Sequence, residues 1–197
     1  MADYLVGQGL REDAVINAQM CDYLTDAPML ERTLTLSVCV AGDLSRKRSR
    51  YLHELPHSKL RWHLYGEGWK GKNKREDITW HGSKPEAMEG SFGLVWAGMT
   101  PRTVIGAAGA YMMVTSPRVA SLYLTAGMPL IVWKWSALAE FVRENKLGLV
   151  VESIDAIPDA IRGLSAADYA EMAVAARAWG EKLRRGDMAR EALEKLG

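Results

Sequence analysis

Residues 116–151, SPRVASLYLTAGMPLIVWKWSALAEFVRENKLGLVV, decide the fold of this chain. Val119, Leu122, Tyr123 and Ala126 recur at i, i+3, i+4 and i+7, the apolar stripe of an amphipathic helix. Gly127 stands where a left-handed C-cap is wanted, and Pro129 prevents the helix from continuing. Leu130 to Trp133 is a short apolar run with β-branched members, suited to a strand covered on both faces. Ser136 is placed to cap a following helix whose Leu138, Phe141 and Val142 point inward. Gly148 punctuates the chain, and Leu149 to Val151 make a second buried strand. Strand, helix, strand in one direction is the α/β crossover unit. Such sheets bind ligands beyond the carboxyl ends of their strands, which draws notice to the loop Lys134-Trp135-Ser136.

Outward from this unit the same alternation continues. Ala14 to Gln19 reads as a first strand, and residues 22–32 as a polar connection containing Pro28. Thr33 to Ala41, TLTLSVCVA, suits a central strand. Gly42-Asp43-Leu44-Ser45 then turns into a short helix through Leu55. Leu60 to Tyr65 is a strand ended by Gly66, and GEGWKGKNKRE at 66–76 is a solvated loop. Ile78 to Trp80 and Ser91 to Trp96 are further strands, separated by Ser83-Lys84-Pro85-Glu86 with capping-box spacing. Residues 97–115, with Gly98, Gly106 and Gly109, follow no decisive period. Ser153 to Gly163 is a short helix interrupted near Pro158. Ser165 and Asp168 cap a long helix carrying Tyr169, Met172, Ala173, Ala176 and Leu183 on one face. A last helix after Gly186-Asp187 turns Ala189, Ala192, Leu193 and Leu196 inward. The expected fold is α/β, a Rossmann-like doubly wound parallel sheet with C-terminal helices over residues 165–197.

At 197 residues the chain has the size of one domain, 1–197, and its 48% apolar residues can build a core. A formal net charge of +1 gives no general pull toward nucleic acid. No apolar run is long enough for a transmembrane segment. Cys21 and Cys39 sit in apolar contexts and read as buried free thiols, which favours a reducing, cytoplasmic setting. Met1 to Gly9 reads as the last turns of a helix with no lead-in, as though the chain were one half of a longer protein.

The stretch from Ser116 to Ile154 resembles the donor-binding half of bacterial GT-B glycosyltransferases. The group it is most similar to contains galactofuranosyltransferases and the glucosyltransferases that extend sugars on serine-rich adhesins. Members show a Pro-x-Lys step, a Ser-Leu-Tyr-Leu-Ala-Ala-Gly-x-Pro-Val-Ile-Val-Trp run, a helix and a Gly-Leu-x-Val strand. Tyr23-Leu24-Thr25-Asp26, Ala41-Gly42-Asp43-Leu44, Leu64-Tyr65-Gly66 and Phe92-Gly93-Leu94-Val95-Trp96 extend the resemblance over nearly all 197 residues. It implies a nucleotide-sugar donor, a UDP-sugar above all, as substrate rather than cofactor, and no bound metal. It also implies a glycan or glycoprotein acceptor held by an N-terminal domain absent from this chain.

A diphosphate needs backbone N–H groups and one or two cations. Two turns can offer them. In the first, Gly42 and Asp43 precede Arg46, and the resemblance expects a basic residue there to touch the nucleotide. The alternative is that Arg46, Lys47, Arg48 and Arg50 form one solvated face. In the second, Ser116-Pro117-Arg118-Val119 opens a helix. The family's lysine is replaced here by Val119, and Arg118 is the available substitute. Ala97 departs in the same way from an acidic residue in relatives. These departures leave a second reading open: a degenerate, non-catalytic module acting in complex assembly.

Tyr65 and Trp80, at strand ends, can stack a base or pack the rim. His53, His57, His63 and His81 have no zinc-ligand spacing with the cysteines, and His81 alone invites a test. No catalytic residue and no metal ligand is assigned. The expected donor-binding set is Gly42, Asp43, Arg46, Tyr65, Ser116 and Arg118. Trp135 and the terminal helices offer surface for a homo-oligomer.

Overall fold

The computed structural model describes residues 2–16, 18–71, 75–83 and 87–195. The capping-box segment 84–86, Lys72, Lys74 and Leu196 lie outside the described residues. Strands β1 (Ser37–Ala41), β2 (Arg61–Tyr65), β3 (Ile78–Trp80), β4 (Phe92–Val95), β5 (Leu130–Trp133) and β6 (Gly148–Val151) form one sheet. Its order is β3-β2-β1-β4-β5-β6, and every pairing is parallel. The chain leaves β1 in one direction for β2 and β3 and returns to its other side for β4. This reversal is the point where doubly wound sheets open a crevice at the carboxyl ends of the strands.

Helix α1 covers Ala2–Gly7, α2 Gly106–Val114, α3 Arg118–Thr125, α4 Ala139–Glu144, α5 Ile157–Arg162, α6 Ala166–Arg185 and α7 Asp187–Glu194. The 116–151 unit forms as its periodicity predicts. Val119, Leu122, Tyr123 and Ala126 face the core side, and Gly127 ends α3 with φ 71°. Gly93 of β4 has no room for a side chain: an added Cβ would lie 2.1 Å from the Tyr123 ring. That close approach lets the buried Tyr123 hydroxyl accept the Ala41 N–H at 2.8 Å, tying α3 to the end of β1.

Helix α6 carries the predicted capping box between Ser165 and Asp168. Its Tyr169 hydroxyl donates to the Ser91 carbonyl, and its Arg184 donates to the Thr125 carbonyl at the end of α3. The polar connection 22–32 has a structural role beyond linking. The Asp22 carboxylate accepts from the N–H groups of Met188 and Ala189 and so caps α7.

Several expectations are corrected. Among the described residues of 14–19 there is no strand: a 3-10 turn covers Glu12–Ala14, Val15 and Ile16 are only half-buried and Ala18 is exposed, while Met20 beyond them reaches the core. The segment after Gly42 forms a 3-10 turn at Arg50–His53 instead of a helix, because Asp43 and Ser49 side chains bond the local backbone. Ser136 caps nothing; α4 starts at Ala139, and the buried Ser136 hydroxyl has no partner among the described residues. β6 is the edge strand, so only Val151 of its four residues is buried. Pro158 starts α5 rather than interrupting a helix, because its missing N–H is no loss in a first turn. In α7 the buried residue is Met188, while Ala189 and Leu193 are exposed. Cys39 is buried as expected, but Cys21 is exposed.

Candidate functional site

A cavity of about 670 Å³ opens at the carboxyl ends of β1 and β2. Ala41, Gly42, Asp43 and Ser45 wall it from β1, Tyr65, Gly66, Glu67 and Gly68 from β2, and Tyr23 and Leu122 from the α3 side. A neighbouring cavity of about 770 Å³ is lined by Arg46, His53, Trp69 and Lys70 and shares Ser45 and Gly68 with the first. The first lies at the crevice of the sheet and contains Gly42, Asp43 and Tyr65 together. Arg46 is exposed and belongs to the second.

The Gly42 turn is closed on itself. The Gly42 N–H donates to the Tyr65 carbonyl at 2.9 Å and the Leu44 N–H to the Glu67 carbonyl at 2.8 Å. The Ser45 N–H donates to Asp43 Oδ1 at 2.9 Å, and the Ser49 hydroxyl donates to the Asp43 carbonyl at 2.7 Å. The bonds from Ser45 hold the Asp43 carboxyl below its usual range. Gly66 holds this closure: with φ 140° its missing Cβ would fall 1.8 Å from the Gly42 carbonyl oxygen. The donors of residues 42, 44 and 45 that the sequence offered to a diphosphate are therefore already engaged.

At the start of α3, Pro117 is the N-cap, with φ −62° and ψ 134°, and makes no side-chain cap. The first N–H groups of a helix lack an i−4 acceptor, and here the Ala120 N–H turns back to the Pro117 carbonyl at 2.9 Å, which leaves the Arg118 and Val119 N–H groups to an anion. The Arg118 guanidinium carbon stands 4.9 Å from the centre of the Tyr23 ring, a cavity wall. Val119 packs against the core, as its place in the stripe predicts. Ser116 is half-buried beside this start and does not line the cavity.

Tyr65 is a wall rather than an open stacking platform. It is 3% exposed, its hydroxyl accepts the Glu89 N–H at 2.8 Å, and its ring stacks on His81 with centroids 4.5 Å apart. Burial pushes its hydroxyl pKa up. Trp80 is the exposed aromatic at this edge, and its ring N–H donates to the Gly66 carbonyl. Trp135 is also exposed, in the loop after β5.

Residues 38–196 match the family described as glucosyltransferase 3-like, C-terminal domain. The chain belongs to this family. Beta-1,6-galactofuranosyltransferase WbbI of Escherichia coli (strain K12) is 26% identical over 203 residues, covering 100% of this chain and 60% of its own length. Glucosyltransferase 3 of Streptococcus gordonii is 25% identical over 205 residues, covering 98% of this chain and 58% of its own length. This glucosyltransferase 3-like chain thus spans about 60% of the length of the curated relatives it matches.

Among solved structures, the lipopolysaccharide outer core galactosyltransferase WaaB, in its apo form, superposes with a TM-score of 0.57 at 10% identity, over 100% of this chain and 60% of its own. Anabaena Alr3699/HepE in complex with UDP and glucose superposes with a TM-score of 0.51 at 14% identity, over 83% of this chain and 48% of its own. These likenesses show the fold, a Rossmann-like half of the GT-B kind, and the family match makes it the C-terminal one. Among the described residues no helix is long and apolar enough to cross a membrane.

Within this glucosyltransferase 3-like domain, Tyr23, Glu67 and Leu122 were not among the expected site residues. Tyr23 lies in a polar connection without period, and only the Tyr-Leu-Thr-Asp match pointed to it. Leu122 shows as core in the stripe, yet it is half-buried because α3 turns that position toward the crevice.

Proposed function

We propose that this chain is the single donor-binding domain of a glycosyltransferase, taking a hexosyl group from a UDP-sugar toward a glycan or glycoprotein acceptor. The observation that carries this is the crevice cavity with the Arg118 guanidinium over its Tyr23 wall and a start of α3 that has no side-chain cap. The diphosphate takes the Arg118 and Val119 N–H groups and the Arg118 guanidinium. The nucleoside lies against Tyr23 and the Gly42–Gly66 wall. The UDP and glucose held by the Anabaena neighbour support the choice of donor. The acceptor comes from a domain outside this chain, and α6 braces the sheet and α3 through Tyr169 and Arg184. Handling of the leaving diphosphate needs no metal in this scheme, because helix dipole and guanidinium stabilise the charge.

Thermal-shift titration with UDP, UDP-sugars and NAD tests the proposal. Stabilisation by UDP and not by NAD supports it. Stabilisation by none of the three overturns it in favour of a non-catalytic module, the outcome that Val119 and Ala97 would then explain.

A further inference from the structure

β2 and β3 run parallel with His63 opposite Thr79, and two residues further His81 leans back over the same face. The crossover into β4 then brings Glu89 to these rings, its N–H fixed on the Tyr65 hydroxyl. His63 Nδ1 lies 3.1 Å from His81 Nε2 and 3.5 Å from Glu89 Oε2. One ligand atom from each of the three residues falls within 4.8 Å of the others. A tetrahedral zinc ion with ligands at about 2.0–2.1 Å has ligand-to-ligand edges of about 3.3 Å, so two of the three edges already have nearly that length. Two imidazoles and one carboxylate form a borderline donor set, suited to zinc-class ions and unsuited to magnesium or calcium, which take oxygen.

We infer that His63, His81 and Glu89 form a three-ligand site for a divalent zinc-class ion, with one coordination position left to water. The inference is independent of the donor reading. His63 and Glu89 line a different cavity, about 490 Å³, that shares no lining residue with the crevice. The ion fastens β2, the end of β3 and the crossover into β4 to one another. It meets the crevice through Tyr65, on whose ring His81 stacks and whose hydroxyl takes the Glu89 N–H, as a brace on that wall.

The test is calorimetric titration of tag-free, chelator-treated protein with Zn²⁺, Co²⁺ and Mg²⁺, alongside His81→Gln and Glu89→Gln. One Zn²⁺ per chain is expected, with Co²⁺ binding at the same stoichiometry and Mg²⁺ absent. Losing an outer-shell partner alone lowers metal affinity by about 10–100-fold, so each ligand substitution is expected to cost at least about tenfold. The Glu89 side chain is 61% exposed, so Glu89→Gln should leave the apo melting temperature unchanged. Absence of Zn²⁺ binding, equal binding of Mg²⁺, or wild-type affinity in both variants overturns the inference.

Discussion

The two turns at the carboxyl edge of the sheet use their backbone donors in opposite ways. At Gly42 the chain folds back so tightly that the donors of residues 42, 44 and 45 find acceptors within the protein. At Pro117 the chain enters α3 with no side-chain cap and a guanidinium close by. Both turns looked suited to an anion in the sequence, since both place a glycine or proline before a basic residue, with the Gly42 turn the stronger of the two because Val119 departs from the expected lysine at the other. Residue type shows that a turn forms; only the partner of each N–H shows whether it can still bind.

The sharpest way to break this contrast is at Gly66. Gly66→Ala drives a Cβ into the Gly42 carbonyl and is expected to destabilise by more than about 3 kcal/mol. Gly42→Ala meets no atom within 4 Å and suffers only its φ of 135°, a cost of about 1–3 kcal/mol. Equal losses in denaturant unfolding would show that the closure is unimportant. Tyr123→Phe comes next. It strands the Ala41 N–H in a buried setting, for about 1–3 kcal/mol.

That ordering mirrors what was legible in the sequence. The 116–151 unit was readable because burial of one face imposes a helical period on Val119 to Ala126 and burial of both faces an unbroken apolar run on Leu130 to Trp133. The alternation of elements gave a doubly wound parallel sheet, but the strand order β3-β2-β1-β4-β5-β6 is set by which strands pair, which no period in the sequence records. Residues 42–55 were misread because short polar side chains bond their own backbone there, a competition that leaves no period. Tyr65 was left between base stacking and rim packing because a strand end shows no sign of what lies over it. The His63, His81 and Glu89 cluster escaped because its members are distant in sequence and meet only through the parallel register of β2 with β3.

On the open side of the contrast the expected effects are in binding, not folding. Arg118→Ala should weaken UDP about tenfold, the loss of one charge-assisted contact of about 1.5 kcal/mol, with unchanged melting temperature. Arg46→Ala should weaken it less, since Arg46 lines the neighbouring cavity. Isothermal titration that ranks Arg46 above Arg118 would reverse the roles of the two turns. Val119→Lys restores a cation to the first turn of α3 and should tighten UDP severalfold if its stem can leave the core. No tightening would place the diphosphate elsewhere.

The smallest effect isolates the closed turn by pH. Asp43 titrates below its ordinary value of 3.8 because Ser45 donates to it. A carboxyl with a lowered folded pKa adds stability above its unfolded pKa and loses it as pH falls toward the folded value. Asp43→Asn keeps an oxygen acceptor but does not titrate. The wild type should therefore melt slightly higher than Asp43→Asn at pH 7, and the gap should shrink on acidification below about pH 4, in the ordinary carboxylate range. A gap that stays constant across that range would mean that the turn is closed by its backbone bonds alone, with the Asp43 charge contributing nothing.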